Sequence, residues 1–508
     1  VSELRTPSVQ TEVTAKATTK DWLGLIVLAF AVLLIAVDGT VLDLALPFIS
    51  ADLSPTSSQL LWIIDVYSFV LAGLLITMGT LGDRIGRRKL LLIGAAGFGV
   101  ASVVAAFSVS PEMLIAARVL QGLSGATLMP ATLGLIRTMF ADARQRTTAI
   151  GVWGAMAGGG AAAGPLVGGW LLEHFWWGSV FLINIPVMIA LILLGPLVIP
   201  ESKDPKPGVF DLVSAGLSML ALVPLVYAVK ETAAHGISVV NVLAAVVGIV
   251  AGVVFVRRQR QLDDPMIDLR LFSNPAFSTA VFTNFLSVFA LAGVLFFGAQ
   301  YLQLVLGYSP LEAGLLMLPG TASSIVTSLV AAYLVRIWTP RTVLAGGLAV
   351  SAIGPALLYG LGVGTGPALF IGGFVLVGAG AGIALTLTSD LVVGAVPPKK
   401  AGAASAVSET AYELGIALGV AILGTVVMSF FRRGLDLSGL DPAQASAAQE
   451  TLGGAVEVSR TLPDEAAAVL ADSAHLAFVT GMHVASVATA VVLAVTAVVV
   501  AVRLRARA

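Results

Sequence analysis

Cysteine is absent from the 508-residue chain, so disulfides, thiolate nucleophiles and cysteine-ligated metals are excluded. Histidine is nearly absent: His174, His235, His475 and His483 stand alone, without metal-ligand spacing, which predicts no metal site and no enzyme. Charge is scarce too. Only 11% of residues are Asp, Glu, Lys or Arg, against about 25% in soluble domains. The net charge of −1 leaves no basic surplus for a nucleic-acid partner. What remains is apolar, at 57% of the residues. About 20 such residues cross a bilayer as helix, and runs of that length fall near 22–46, 60–81, 90–109, 112–136, 148–171, 179–199, 212–229, 237–256, 276–299, 311–335, 342–362, 368–392, 401–430 and 476–502. They predict an all-α integral membrane protein with 14 transmembrane helices. Trp22 opens the first run with no A-x-A signature, so the first span is expected to be uncleaved.

The basic residues orient the spans. With the first residues inside, Arg5, Lys16 and Lys20 precede span one, and Arg84, Arg87, Arg88 and Lys89 follow span two. Arg137, Arg144 and Arg146 follow span four, and the same side collects Lys203, Lys206, Arg257, Arg258, Arg260, Arg270, Arg336, Arg341, Lys399, Lys400, Arg503, Arg505 and Arg507. Only Lys230, Arg432, Arg433 and Arg460 fall outside. Both termini are therefore expected to be cytoplasmic. The longest extramembrane stretch, 432–475, is acidic, with helix starts at Asp441-Pro442 and Pro463-Asp464. It reads either as a solvated linker or as a cation-attracting vestibule.

An internal repeat divides the chain. Arg84-Ile85-Gly86-Arg87-Arg88-Lys89 aligns without gaps on Arg336-Ile337-Trp338-Thr339-Pro340-Arg341, one after span two and the other after span ten. An offset of eight spans fits two six-span halves separated by a two-span insert. The expected organisation is an N-tail at 1–21, a six-helix bundle at 22–200, a linker and inserted helices 7–8 at 201–260, a second six-helix bundle at 261–502 that includes the outer loop, and a C-tail at 503–508.

Gly79-Thr80-Leu81-Gly82-Asp83-Arg84-Ile85-Gly86-Arg87-Arg88 resembles the loop signature of the major facilitator superfamily. Leu114 to Gly122, with Arg118 and Gln121, looks like its span-four motif, and Gly160-Ala161-Ala162-Ala163-Gly164-Pro165-Leu166-Val167-Gly168-Gly169 is similar to its exporter-associated span-five motif. Fourteen spans, Asp38-Gly39-Thr40 in span one and Ser408-Glu409-Thr410-Ala411-Tyr412-Glu413 in span thirteen resemble the fourteen-span drug:proton antiporters, a group that exports quaternary ammonium compounds, dyes and fluoroquinolones. Asp43 departs from that pattern, where Asn or a small residue is more usual. The resemblance implies a major facilitator fold of two pseudo-symmetric bundles plus the insert, with a proton gradient as the energy source and no cofactor.

Six charges lie well inside spans: Asp38, Asp43, Asp65, Arg118, Glu409 and Glu413. Each costs at least ~2.5 kcal/mol to insert, so such residues mark pathways or proton relays. Asp38, Asp65 and Arg118 fall at similar depth and are expected to share one cavity. Asp43 points about 140° away from Asp38 on an ideal helix. Glu409 and Glu413, four apart, share a helix face. Burial disfavours the charged form of a carboxyl group, so an acid there can exchange a proton for a cation. The competing reading is a structural acid bonded to a neighbouring helix. Arg118 stays charged and is a candidate for coupling, or for a static tie to span one or two. Five acids and one arginine leave −4, which selects lipophilic cations.

Gly79, Gly82 and Gly86 permit close backbone approach, and Asp83, Arg84, Arg87 and Arg88 can make charge-assisted ties, for example to Asp142. A cytoplasmic latch is expected there. Gly160, Gly164, Gly168 and Gly169 form a small-residue packing face, with a bend at Pro165. Asp390 is expected to snorkel. Tyr67 and Tyr412 lead a set of candidate cation-lining aromatics with Trp62, Tyr301, Phe285, Phe289, Phe296 and Phe297. The expected function is a proton-coupled, monomeric multidrug antiporter of a bacterial cytoplasmic membrane, with protons and lipophilic cationic drugs or dyes as partners. A dedicated exporter of one antibiotic or metabolite, or a non-transporting sensor or scaffold, are the alternatives.

Overall fold

A computed structural model describes residues 16–55, 57–205, 211–263 and 265–504. The side chains of Asp43, Asp65, Pro165 and His235 lie outside the described residues, as do Arg5, Lys206, Arg505 and Arg507. All regular structure among the described residues is helical. The first set comprises α1 (Thr19–Leu53), α2 (Ser57–Ile85), α3 (Arg87–Ala106), α4 (Pro111–Met139), α5 (Ala143–His174), α6 (Ser179–Leu182) and α7 (Asn184–Val198). A hairpin of α8 (Leu212–His235) and α9 (Val239–Gln261) follows. The second set comprises α10 (Pro275–Gln300), α11 (Pro310–Ile337), α12 (Pro340–Leu358), α13 (Ala368–Gly394), α14 (Ala401–Gly434), the short α15 (Pro442–Glu450) and α16 (Leu452–Ser459), and α17 (Asp464–Arg503).

Among the described residues thirteen spans are continuous, with α6 and α7 together forming one of them, and α5, bent by 43° between Ala143–Ala161 and Leu166–His174, makes a fourteenth. The bend brackets the Gly164-Pro165 step. Helix α1 continues past its expected end to Leu53, which leaves Asp38 near its middle. Helices α15 and α17 begin at the expected starts, Asp441-Pro442 and Pro463-Asp464, but α17 then runs unbroken into the last span, and α16 fills part of the supposed loop. Pro463 and the acids Asp464 and Glu465 start α17 well before its apolar run.

Several helices begin with one local device. Ser110, Asn274, Ser309, Thr339 and Asp441 each accept a backbone N–H from the first turn, and proline follows at the first helical position. The cap oxygen satisfies a donor that would otherwise be orphaned, while proline has none to lose.

Packing in the first set repeats in the second. Helix α1 packs on α5 and α7, α4 on α2 and α3, and α3 on α7; likewise α10 packs on α14 and α17, α13 on α11 and α12, and α12 on α17. Leu28, Leu75, Phe98, Leu133 and Trp153 fill one core, and Phe297, Tyr301, Phe370, Phe374 and Phe478 fill the other. Outward faces carry exposed apolar residues such as Val242, Ile249, Val491 and Val495, as lipid contact requires. The two sets meet through α2 and α4 against α14, and α5 against α11 and α13. Helix α8 touches both α2 and α14 and so lies beside the seam.

Candidate functional site

Two polar systems are built into this apolar bundle. The first is a buried network across five helices of the first set. Arg118 of α4 donates from Nη1 to Asp38 Oδ2 on α1 at 3.0 Å and to Gln121 Oε1 at 3.1 Å. Its Nε reaches the Ile63 carbonyl at 3.4 Å, and its guanidinium lies 4.5 Å from the centroid of the Tyr67 ring, both on α2. Asn184 of α7 donates from Nδ2 to Asp38 Oδ1 at 2.7 Å and to Ser102 Oγ on α3 at 3.1 Å, and Gln121 Nε2 donates to the same Ser102 oxygen at 3.1 Å. Asp38 and Arg118 are 1% and 2% exposed. At that burial a charge persists only when paired and hydrogen-bonded, and this pair is both. Tyr67 Oη is buried with no hydrogen-bond partner.

Across the seam, α14 carries Glu409, buried, and Glu413, half-buried one turn further on. Tyr67 is within electrostatic reach of Asp38, Arg118 and Glu413, and Tyr412 of both Glu409 and Glu413. Of the glutamate pair, Glu413 is thus the member within electrostatic reach of Tyr67 and the arginine cluster. The side chains of Asp65 and Asp43 lie outside the described residues. Asn284 of α10 donates to the Ser408 carbonyl at 3.0 Å and fixes α14 beside α10.

Most of the other aromatic candidates separate from this group. Tyr301 and Phe297 are fully buried in the second core, with Tyr301 Oη donating to the Gly362 carbonyl at 2.9 Å. Trp62 and Phe296 are exposed on the bundle surface, and Phe285 and Phe289 lie beside each other on α10. A buried tyrosine hydroxyl usually finds a partner, and Tyr301, unlike Tyr67, finds one in a loop.

The second system closes the end of the bundle where α2 gives way to α3. Asp83 Oδ1 and Oδ2 accept the backbone N–H groups of Gly402 and Ala403 at 3.1 and 3.0 Å, so a carboxylate of the first set caps α14 of the second. Arg87 donates to Asp83 Oδ1 at 2.7 Å and to the Pro398 carbonyl at 2.7 Å, while its Nη1 reaches Ser202 Oγ, Thr138 Oγ1 and the Gly134 carbonyl. The expected tie to Asp142 is not formed; Asp142 caps its own helix, α5, through Gln145 N–H. Arg87 pairs with Asp83 instead of Asp142, and Asp83 in turn takes the first turn of α14, which offers two N–H donors and the helix dipole. Gly79 is held against the Gly402 carbonyl, where an added Cβ would approach to 2.6 Å. Gly86 has φ +112°, and a Cβ there would meet the Glu201 carboxylate at 2.7 Å. A Cβ on Gly82 would sit 3.2 Å from Leu90. Arg88 Nη1 donates to the Ile199 carbonyl, whereas Arg84 Nη1 is buried with no hydrogen-bond partner.

A neighbouring tie escaped the sequence reading. Asp390 of α13 does not snorkel; it accepts from Arg146 Nε and Thr147 Oγ1 of α5, each at 2.5 Å. Arg137 Nε donates to the Val393 carbonyl at 3.0 Å. Hydrogen bonds between the two sets therefore gather at this end. Gly160, Gly164 and Gly168 seat α5 on Leu33, Thr40 and Val41 of α1, whereas Gly169 faces open space.

Asn184 was missed as a partner of Asp38, and Ser102 as the acceptor for Asn184 and Gln121, although Asn184 stands out as a polar residue at the head of an apolar run. Gln121 lies one helical turn from Arg118, on the same face.

The family model described as Major Facilitator Superfamily matches residues 28–420. The multidrug efflux pump LfrA of Mycolicibacterium smegmatis is 48% identical over 493 residues, covering 97% of this chain and 98% of that protein. The methyl viologen resistance protein SmvA of Salmonella typhimurium is 38% identical over 471 residues, covering 92% and 94%. The crystal structure of the human organic anion transporter MFSD10 (TETRAN) superposes with a TM-score of 0.59 at 17% identity, covering 94% and 98%; that likeness concerns the fold.

Proposed function

The chain belongs to the Major Facilitator Superfamily, a transporter and not an enzyme, and from that premise we propose that it exports lipophilic cations in exchange for protons. The observation that carries this reading is the meeting of Asp38, Arg118, Tyr67 and Glu413 across the seam between the two sets of helices. The acids outnumber the arginine there, so an apolar cation entering the bundle gains Coulomb energy while an anion loses it. Glu413 is the proposed exchange site. An arriving cation favours the ionised form of this carboxyl group, so drug binding expels the proton. Asp38 and Arg118 hold the geometry and transmit the change in charge to α1, α2 and α4. Tyr67 and Tyr412 offer ring faces to the cation.

Alternating access follows from the latch. With Asp83 capping α14 and Asp390 holding Arg146, the basic end is shut; release of both ties opens it. The basic residues on that side assign it to the cytoplasm, in the cytoplasmic membrane of a bacterium, with both termini inside. The names of LfrA and SmvA support efflux, and methyl viologen is itself a dication.

Everted vesicles carrying the protein should accumulate ethidium only under a proton gradient, acid inside. Glu413→Gln and Asp38→Asn, at matched expression, should abolish this gradient-driven accumulation, and Glu413→Gln should still bind ethidium. Full transport in both variants overturns the coupling assignment.

A further inference from the structure

The second copy of the basic loop has no part in the latch, and its surroundings differ from those of the first copy in one respect. In the first copy, the Glu201 carboxylate sits on the start of α3, accepting from Arg88 N–H and Lys89 N–H at 3.1 Å each. Glu201 follows α7, and α7 packs on α3. The corresponding pair in the second set is α17 on α12. Arg341, which aligns on Lys89, lies in the first turn of α12, and the end of α17 supplies Arg503 in place of an acid.

A cavity of about 780 Å³ opens between them, bounded by Arg341, Arg503, Thr339 and Asn274. It adjoins a second of about 400 Å³ that shares Asn274, Pro340 and Leu391 and adds Arg144 and Arg146. Arg146 is neutralised by Asp390. Among the described residues no hydrogen bond or ion pair engages the side chains of Arg144, Arg341 or Arg503. Arg341 and Arg503 thus line one cleft and Arg144 the cavity beside it, where the counterpart in the first set is filled by a carboxylate. The carbonyl end of α17 opposes an anion here, but Arg503 covers it.

We propose that this cleft binds the phosphate of an anionic phospholipid. Three features favour lipid as the source. The cleft lies at the ends of membrane spans α10, α12 and α17, where headgroups lie. Basic pockets between spans on this side recognise such headgroups. The planar guanidinium fork also suits a phosphodiester.

The test uses the purified full-length protein, delipidated in detergent and titrated with phosphatidylglycerol, phosphatidylethanolamine or inorganic phosphate, with binding read by native mass spectrometry and melting temperature. Phosphatidylglycerol should bind and stabilise the wild type. Arg341→Gln/Arg503→Gln should bind it about thirty-fold more weakly, since each basic residue near the surface contributes roughly a factor of five. Arg341→Lys/Arg503→Lys, which keeps both charges, should retain most of the binding and shows that the sites tolerate substitution. Arg433→Gln, at the other end of the bundle, should leave binding unchanged. Equal phosphatidylglycerol affinity in wild type and the Gln pair overturns the site. Equal stabilisation by millimolar inorganic phosphate overturns the assignment to lipid.

Discussion

Asp83 Oδ1 accepts the backbone N–H of Gly402 at 3.1 Å, so the last turn of α2 holds the positive end of α14, a helix of the other set. The same oxygen takes Arg87 Nε at 2.7 Å. One carboxylate therefore performs two tasks: it neutralises a fully buried arginine and pins the seam. A carboxylate at a helix start contributes about 0.3–2 kcal/mol, or up to roughly thirty-fold in the ratio of shut to open states.

Asp83→Asn should shift that ratio toward opening. The amide keeps an acceptor but loses the charge that both Arg87 and the helix dipole require. The chain has no native cysteine, so a pair introduced at Ala143 and Ala395, which flank one cleft at this end, provides the readout. Cross-linking by a short bifunctional reagent should fall in Asp83→Asn and recover only partly in high salt, which screens exposed charges but not buried ones. An unchanged cross-linking yield shows that the cap does not control closure.

The membrane spans were legible because a bilayer leaves the backbone few options, and an apolar run of sufficient length must satisfy its own hydrogen bonds as helix. Asp38 and Arg118 were legible for a related reason: a charge inside such a run is costly and needs a partner. Which partner it finds was not. Asn184 is 146 residues from Asp38, Asp390 is 244 from Arg146, and Gly402 is 319 from Asp83. Such pairings are decided by which helices pack together, and no local periodicity encodes that. That Arg87 pairs with Asp83 and not with Asp142, while Asp83 caps α14, turned on a helix end whose position depends on the other half of the molecule. The helix start at Pro463-Asp464 was legible, but its continuity with the last span was hidden by the polar first turns, because hydropathy marks the membrane and not the helix.

The glycines of α5 are not equivalent. A Cβ on Gly164 would overlap the Thr40 hydroxyl, and one on Gly160 would overlap the Leu33 carbonyl, whereas one on Gly169 meets nothing within 4 Å. Gly164→Ala should therefore push α5 from α1 and lower the melting temperature in detergent, with a cost of about 1–3 kcal/mol typical of overpacking. Gly169→Ala should be neutral or stabilising by up to about 1 kcal/mol, since alanine restricts the unfolded chain. The two melts side by side decide the point. Equal effects at both positions mean that helix propensity, not the α1–α5 contact, explains the motif.

The inserted hairpin carries its own pH-sensitive tie. Arg258 near the end of α9 donates to Asp211, the cap of α8, at 2.9 and 3.1 Å. The Arg258 hydrogen bonds, followed by those from Ser214, hold the Asp211 carboxyl well below the usual carboxylate range. A carboxyl depressed by folding contributes stability that is complete above its ordinary value, near 3.9, and is lost as pH falls below it toward the folded value. The melting-temperature difference between wild type and Asp211→Asn should accordingly stay constant from about pH 7 to about pH 5 and shrink below about pH 4. Arg258→Gln should reproduce the Asp211→Asn melt, and the double variant should add little, because the two residues act as one pair. A difference that persists undiminished under acid assigns the effect of Asp211 to its neutral capping geometry instead of its charge.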